Sequence, residues 1–307
     1  MVAALSISPG SVIITEQPLF TIPRLTFDTL STPSAKETVL LEFAKLPNDQ
    51  QKAFLNLHNV QVKPVSELSE IESIIRTNGF GLGPDGIRSR VFDECSRFNH
   101  SCSPNAHFAW HEPTHTMYVH STQDIAEGDE ITISYVRSDS PHQMRQSELL
   151  SRYGFLCKST ACAATRQDLA RSDSLRSEIQ RLDEAISRGM IMTNPGRALR
   201  YCRELLHLRD VEGIEPQMPR SYHDAFQISV AHGDLARASA FMKLQVKWYE
   251  VYQAEASVVA EMRGFVERPE EHSLYQIVSK RWQSQTKHAR NESSKGFEKW
   301  LWMRAEK

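Results

Sequence analysis

The sequence has few of the features that mark secreted, membrane-bound or nucleic-acid-binding proteins. Five of its 307 residues are cysteines, an odd number at uneven spacing. This pattern fits a reducing compartment better than a disulfide framework. The formal net charge of -2 argues against a dedicated nucleic-acid binder, which usually carries a basic excess. We therefore expect a protein of the cytoplasm or nucleus that does not bind nucleic acid directly.

Long apolar runs are also missing. No stretch approaches the roughly 18 apolar residues that a membrane helix needs. The first eight residues, 1–8, lack the basic start and the apolar core of a signal peptide. Hydrophobic residues make up 40% of the chain and charged residues 24%, and the length is sufficient for two domains. The composition predicts an ordinary folded protein with no membrane association.

Residues 97–105 form the most specific stretch of the chain. Asn, Ser and Pro favour turns, and Pro104 removes a backbone donor and restricts Ser103 before it. The order Asn-His-Ser-Cys-Ser-Pro-Asn resembles the Asn-His-Ser-Cys-x-Pro-Asn signature of SET-domain protein-lysine methyltransferases, in particular the SMYD-like and fungal SET branch. Residues 124–135 match a second signature of that family: a Gly-Asp-Glu turn, an alternating strand and a terminal tyrosine.

The resemblance implies an α+β fold. A β-rich SET domain with small sheets and knot-like C-terminal threading is expected at residues 1–150, with a helical insert at about 34–90. A post-SET segment would follow at 151–165, and an α-helical, tetratricopeptide-like C-terminal domain at 166–307. The cysteine-rich MYND zinc finger that some relatives carry in the insert is absent from this sequence.

Local patterns predict individual elements of the first half. β-branched residues at 11–16 indicate a strand that Pro18 ends. Apolar residues at helical spacing predict two helices within 34–57, separated at residues 47–49, and a third helix through 68–75. Residues 108–110 and 117–119 read as strands joined by a turn.

The second half is predicted to be helical. Residues 175–186 have helical spacing, and Asn194 followed by Pro195 is a typical helix start. Gly233 and Asp234 would end one helix and cap the next, which gives a helical hairpin of tetratricopeptide type. The aromatic tail at 300–302 is expected to dock onto the domain, and residues 283–295 read as a polar linker.

The family resemblance assigns roles to five side chains. Methyl transfer requires a lysine amine that has lost its proton, although its free pKa is about 10.4, in line with a sulfonium methyl group. Tyr135 would orient the amine through its hydroxyl, and Tyr153 is a second candidate for the channel wall. Asn99 and His100 would contact S-adenosylmethionine, and Phe155 would stack on its adenine ring. Without the flanking motif, His100 would be read as a structural histidine.

A zinc site is suggested by the family pattern Phe-x-Cys-x-Cys-x-x-Cys, whose thiolates join the signature cysteine. Cys102, Cys157 and Cys162 match this pattern, but Ser159 stands at the middle ligand position. A serine hydroxyl is a poor zinc ligand beside a thiolate. Two interpretations stay open. Water or a histidine completes a zinc shell, or the cysteines pack as small apolar residues.

Two other patterns do not support the sites they suggest. Residues 81–86 contain a Gly-x-Gly-x-x-Gly, but a helical pattern precedes it and Pro84 interrupts it, which argues against a dinucleotide loop. Residues 77–80 instead resemble a SET-family motif. His107, His111 and His115 recur at every fourth position and His120 follows, but Pro113 and the strand pattern argue against the helix that would align them as metal ligands.

Three functions are compatible with these patterns. The first is an S-adenosylmethionine-dependent lysine methyltransferase acting on a histone or another protein. The second is an inactive SET-family binding or regulatory protein, because the family's Gly-x-Gly cofactor loop would lie before the first strand and the sequence starts after it. A downstream start of the sequence explains the same observation. The third is a helical-repeat scaffold for protein interactions.

Overall fold

The computed structural model describes residues 1–23, 33–60, 67–82, 88–214, 218–251 and 256–303. The chain divides into two compact units. The first consists of Met1–Arg137 and Gln143–Ala163, and the second of Ser138–His142 and Ala164–Lys307. The domain limits expected from the sequence stay a prediction.

Three small sheets form the β-structure of the first unit. Strands β1 (Val12–Glu16), β2 (Phe20–Pro23), β3 (Phe80–Leu82) and β4 (Arg88–Val91) precede β5 (Asn99–His100), β6 (Ala106–His111), β7 (Thr116–Ser121) and β8 (Thr132–Ile133). Two antiparallel sheets have the orders β1-β7-β6 and β2-β4-β3, while β5 and β8 pair in parallel. The predicted strands at 11–16, 108–110 and 117–119 are confirmed.

Three α-helices of the first unit lie between β2 and β3. They are α1 (Pro33–Ala44), α2 (Asn48–Leu55) and α3 (Glu67–Asn78), which confirms the three predicted helices and the break between the first two. Phe43, Phe54 and Ile71 are buried with Phe20 in one apolar cluster. Burying such side chains contributes about 1.5–3 kcal/mol each, so this core holds the helices in place.

The strand expected to end at Tyr135 is shorter than predicted. β8 comprises two residues, and Tyr135 lies beyond it in a bend. The backbone N–H of Tyr135 donates to Nδ1 of His100 at 3.0 Å and is therefore not available to a strand ladder. The His100 side chain thus takes the place of a neighbouring strand as the hydrogen-bond partner. The alternating sequence pattern does not reveal this.

Helices make up the secondary structure of the second unit apart from one isolated bridge, within its described residues. Helix α4 (His142–Tyr153) belongs to the first unit apart from its first residue. The α-helices that follow in the second unit are α5 (Arg166–Ala185), α6 (Ile191–Thr193), α7 (Pro195–Val211), α8 (Met218–Ala231), α9 (Leu235–Val251), α10 (Ala256–Glu267) and α11 (Phe297–Trp302). The predicted start of α7 is confirmed, because the Asn194 side chain accepts a hydrogen bond from the backbone of Arg197 at 3.1 Å.

The connection from α8 to α9 turns at Gly233. Its φ of +81° lies in the left-handed region that favours glycine. Asp234 follows, fully buried, and its carboxylate pairs with Arg237 at 2.8 Å. The Ser284 hydroxyl also donates to Asp234 at 2.7 Å, so the expected linker at 283–295 is tied to the helices at its start.

The aromatic tail docks as predicted. Leu301 and Trp302 in α11 are buried in the apolar cluster of the second unit together with Phe241 and Phe297. In the described part of the chain, none of the helices is long and apolar enough to cross a membrane.

Candidate active site

The parallel pairing of β5 with β8 brings the two sequence signatures together. Asn99 lies opposite Thr132, and His100 lies opposite Ile133. Tyr135 is then fixed at both ends, because its N–H donates to His100 and its hydroxyl donates to the carbonyl oxygen of Phe98 at 2.5 Å. With its backbone bonded to His100 and its hydroxyl bonded to Phe98, the Tyr135 ring has little rotational freedom and a defined position.

Asn105, the last residue of the first signature, locks the two signatures to each other. Its amide accepts from the Thr132 backbone at 2.8 Å and donates to the Glu130 carbonyl at 2.9 Å. The Asn99 amide donates to the Glu130 carboxylate at 2.6 Å. We assigned no role to Asn105 or Glu130 from sequence, although both lie inside the signatures.

The Glu16 carboxylate fixes the turn that leads into the first signature. Its oxygens accept the backbone N–H groups of Asp93 at 2.7 Å, Glu94 at 3.1 Å and Cys95 at 2.8 Å. These donors precede and open a short 3₁₀ helix at Cys95–Arg97, where N–H groups have no partner within the helix. Glu16 is distant in sequence, so no local pattern predicts this contact.

Two cavities adjoin Tyr135. The smaller, about 550 Å³, is called the aromatic cavity, because Phe80, Phe98 and Phe108 line it. The larger, about 700 Å³, is called the His100 cavity and is also lined by Asn99, Glu130 and Phe155. Both cavities share five lining residues: Thr77, Asn78, Ser96, Tyr135 and Tyr153.

All five side chains predicted to contact substrate or cofactor line the His100 cavity: Asn99, His100, Tyr135, Tyr153 and Phe155. Their rings form one group. The centroids of Tyr135 and Tyr153 are 4.9 Å apart, those of His100 and Tyr135 5.3 Å, and those of His100 and Phe155 6.0 Å. The roles assigned to these residues stay predictions.

Burial keeps Tyr135 and His100 neutral. Burial raises the pKa of Tyr135 to about 12, and the nearby Tyr153 and Glu130 act in the same direction. Burial also lowers the pKa of His100 to about 4, with a further contribution from Arg145. At neutral pH, Tyr135 therefore retains its phenolic proton and the His100 ring is uncharged.

Gly79 lies where helix α3 meets the aromatic cavity. A Cβ atom at this position would lie 2.7 Å from the carbonyl oxygen of Ile75, which is closer than real Cβ contacts. The preceding Asn78 is buried, and its amide donates to the carbonyls of His58 and Ile74 at 2.7 and 2.8 Å. The motif at 77–80 therefore serves to bring the backbone and Asn78 to the shared wall of both cavities.

Three cysteines meet beside the His100 cavity. Cys102 and Cys157 are buried, and Cys162 is partly exposed. The hydrogen bond between Cys102 and Cys162 lowers the pKa of the Cys162 thiol to about 5 and raises that of Cys102, and the buried Arg145 also bonds to Cys162. The sequence did not indicate that Arg145 belongs to this group.

The residues near this cluster do not complete a zinc shell. Among the described residues, one group of three potential metal ligands lies together, formed by His100, Cys102 and Cys157 with ligand atoms within 4.8 Å of one another. Ser159, at the position of the missing thiolate, accepts a hydrogen bond from Cys157 at 3.2 Å. Structural zinc sites use four strong donors, so three thiols and a hydroxyl fit zinc poorly.

The histidine series and the glycine-rich stretch do not contribute to this cysteine cluster. His107, His111 and His120 lie on strands, with His107 opposite His120, and His115 lies in the turn between them. This confirms that the histidine spacing is not helical. Of the glycine-rich stretch, Gly81 lies in β3, while Gly83 and Gly86 are outside the described residues.

Comparison with known proteins agrees with this architecture. The family model of the SET domain matches residues 1–136. The histone-lysine N-methyltransferase set5 of Schizosaccharomyces pombe is 28% identical over 289 residues, which cover 91% of this chain and 83% of that protein. The rat N-lysine methyltransferase SMYD2 is 28% identical over 46% of this chain and 36% of its own length. The Arabidopsis thaliana histone-lysine N-methyltransferase ATXR4 is 31% identical over 27% of this chain and 25% of its own length. Residues 1–136 therefore match the SET domain, and the chain is similar to SET-family lysine methyltransferases.

Proposed function

We propose that the protein is an S-adenosylmethionine-dependent protein-lysine methyltransferase. The observation that carries this proposal is the pair of cavities that share Tyr135 and Tyr153. Group transfer between two molecules needs two sites whose occupants meet at a common wall. The similarity to set5 and SMYD2 supports the choice of reaction.

The His100 cavity suits the cofactor. It offers the aromatic ring of Phe155 for stacking on a base, and the Asn99 amide and Glu130 carboxylate for the polar amino-acid end. Its volume of about 700 Å³ is in the range of cofactor pockets. S-adenosylmethionine bound there supplies an electrophilic methyl group on a sulfonium centre.

The aromatic cavity suits the acceptor lysine. Its aromatic rings can surround an alkyl chain and exclude water from the amine. The Tyr135 hydroxyl donates its hydrogen bond to the carbonyl oxygen of Phe98, so the lone pairs of the hydroxyl oxygen are left to accept an N–H of the incoming amine. The nitrogen lone pair is then free to point toward the shared wall and the other cavity.

The charge around the aromatic cavity favours loss of the ammonium proton. Arg152 is the charged side chain among its described lining residues, and no carboxylate lines it there. A neighbouring cation and a dry environment both lower the pKa of a lysine, which starts at about 10.4. The Glu148 carboxylate pairs with Arg152 at 2.9 Å and offsets part of this effect, so we expect the cavity to favour the neutral amine by a modest amount.

The substrate would be a lysine-bearing protein, either a histone or a non-histone protein, in the cytoplasm or the nucleus. A direct test uses the full chain with S-adenosylmethionine carrying a labelled methyl group, core histones and a lysine-centred peptide library. We expect labelling at lysine. Tyr135→Phe should reduce turnover about 100-fold or more, the size expected for loss of a polar group at a reacting centre.

Calorimetric titration with S-adenosylmethionine distinguishes a loss of cofactor binding from a loss of turnover. Tyr135→Phe should retain binding while losing turnover, because the hydroxyl is directed to Phe98 and not to the cofactor. Wild-type turnover in Tyr135→Phe would contradict the assigned role of the hydroxyl. Failure of the wild type to bind S-adenosylmethionine would favour an inactive binding or regulatory protein.

A further inference from the structure

The cluster of Cys102, Cys157 and Cys162 differs from a zinc site in its fourth position. Ser159 fills that position with a hydroxyl that bonds to Cys157. The nearest alternative donor among the described residues is the His100 ring, whose Nε2 lies 3.2 Å from the sulfur of Cys102.

The hydrogen bonding of His100 excludes it as the fourth ligand. Its Nδ1 accepts the backbone N–H of Tyr135, and a backbone N–H can only donate. Nδ1 therefore carries no proton, and a neutral ring must carry its proton on Nε2, the atom that faces Cys102. Histidines that bind metals do the reverse: the free nitrogen binds the ion and the other donates a hydrogen bond.

We propose that these three cysteines form a metal-free thiol cluster that peroxide converts to a disulfide between Cys102 and Cys162. Cys162 packs against the buried cluster that contains Cys102 and Cys157, and it is the partly exposed member through which an oxidant can enter. Arg145 also bonds to Cys162, which places a cationic side chain beside that sulfur. Disulfides in reducing compartments are usually transient, which suits a sensing role.

The oxidation proceeds in two balanced steps. The Cys162 thiolate attacks hydrogen peroxide, an S–O bond forms, the O–O bond breaks, and the second oxygen leaves as hydroxide, which takes a proton from solvent to become water. The Cys102 sulfur then attacks the sulfenic acid, the S–S bond forms, and the S–O bond breaks. The hydroxyl leaves with the Cys102 proton as a second water. The two thiols lose two electrons, and peroxide gains them.

The disulfide would act on the His100 cavity through one contact. Cys102 bonds to His100, and His100 in turn holds the backbone of Tyr135. Drawing Cys102 toward Cys162 removes the sulfur from the His100 ring and loosens the wall that both cavities share. The proposal itself concerns the state of the cysteines and does not depend on the proposed methyltransferase activity.

The test begins with the metal content of the full chain, produced in zinc-supplemented medium and measured by mass spectrometry of the elements. The matched variant Ser159→Cys restores a fourth thiol. We expect wild type to hold well under one tenth of a zinc ion per chain and Ser159→Cys to approach the single ion of a four-thiolate site. One zinc ion per wild-type chain would overturn the proposal, whatever the variant does.

The second measurement maps cysteine pairs after brief treatment with hydrogen peroxide, by alkylation of free thiols followed by peptide mass spectrometry. We expect a cross-linked pair of peptides containing Cys102 and Cys162, lost in Cys162→Ser and reversed by dithiothreitol. Cys95 and Cys202 are buried elsewhere and serve as internal controls that stay reduced. If Cys102 and Cys162 stay as reduced as these controls, the proposal is wrong.

Discussion

Replacing Glu16 by Ala tests how the turn before the first signature is held. The Glu16 carboxylate accepts three backbone N–H groups, at 2.7, 3.1 and 2.8 Å. A hydrogen bond to a charged group is worth about 1.5–3 kcal/mol, so independent bonds would sum to about 5–9 kcal/mol. The three bonds share one carboxylate, and the Glu94 contact is exposed to solvent, so water replaces part of the loss. We expect a net cost of about 2–4 kcal/mol in the free energy of unfolding.

The assay combines thermal unfolding with hydrogen exchange. A loss of this size lowers the Tm of a unit of this length by about 5–15 °C. Exchange measured by mass spectrometry should show faster exchange at residues 93–95, which localises the effect. Glu127→Ala, which removes an exposed carboxylate from the turn at Gly128, is the control and should change neither quantity. Wild-type protection of the three amides in Glu16→Ala would refute the reasoning.

Three further predictions follow from single side chains. Burial, and then the neighbouring His120, lowers the pKa of His107 to about 4; because the unfolded state binds the proton more tightly, stability is full above pH 6.5 and falls toward pH 4. In His107→Phe, the free energy of unfolding measured by urea titration should fall less between pH 6.5 and pH 4. The same pH dependence as in the wild type would contradict this role of His107. Arg152→Gln removes the cation beside the aromatic cavity, so the acidic limb of the pH–rate profile should move up by about one unit or less; an unmoved limb would show that Arg152 does not act on the amine. Asn194→Ala removes the cap of α7 and should cost about 1 kcal/mol in the free energy of unfolding, and Asn194→Asp should restore it.

The sequence predicted those helices and strands whose ends are set by neighbouring residues. Asn194 and Pro195 start a helix because the cap and the first-turn geometry are set by neighbouring residues. Pro18 lies just beyond β1, and the break between α1 and α2 coincides with Pro47. Where backbone geometry depends on a few adjacent residues, the sequence alone was sufficient.

Contacts between distant residues explain what the sequence did not reveal. Glu16 reaches residues 93–95 across the first unit, and no periodicity or cap links the two segments. Arg145 is buried beside Cys162, although an arginine on a helix is normally read as solvent-exposed. The strand before Tyr135 ended early because a histidine side chain, and not a neighbouring strand, bonds to its backbone.

The five residues common to both cavities offer a route by which a ligand in one cavity can affect binding in the other. Any molecule that shifts Tyr135 or Tyr153 from one side changes the surface presented to the other side. Linkage requires that the effect be reciprocal, so each ligand alters the affinity of the other by the same factor. Substitutions that change the shape of the shared wall should change both affinities together, whereas Tyr135→Phe, which removes one hydroxyl, should leave cofactor binding intact. Phe155 and Phe108, which each line a single cavity, are the positions at which the two binding steps can be separated.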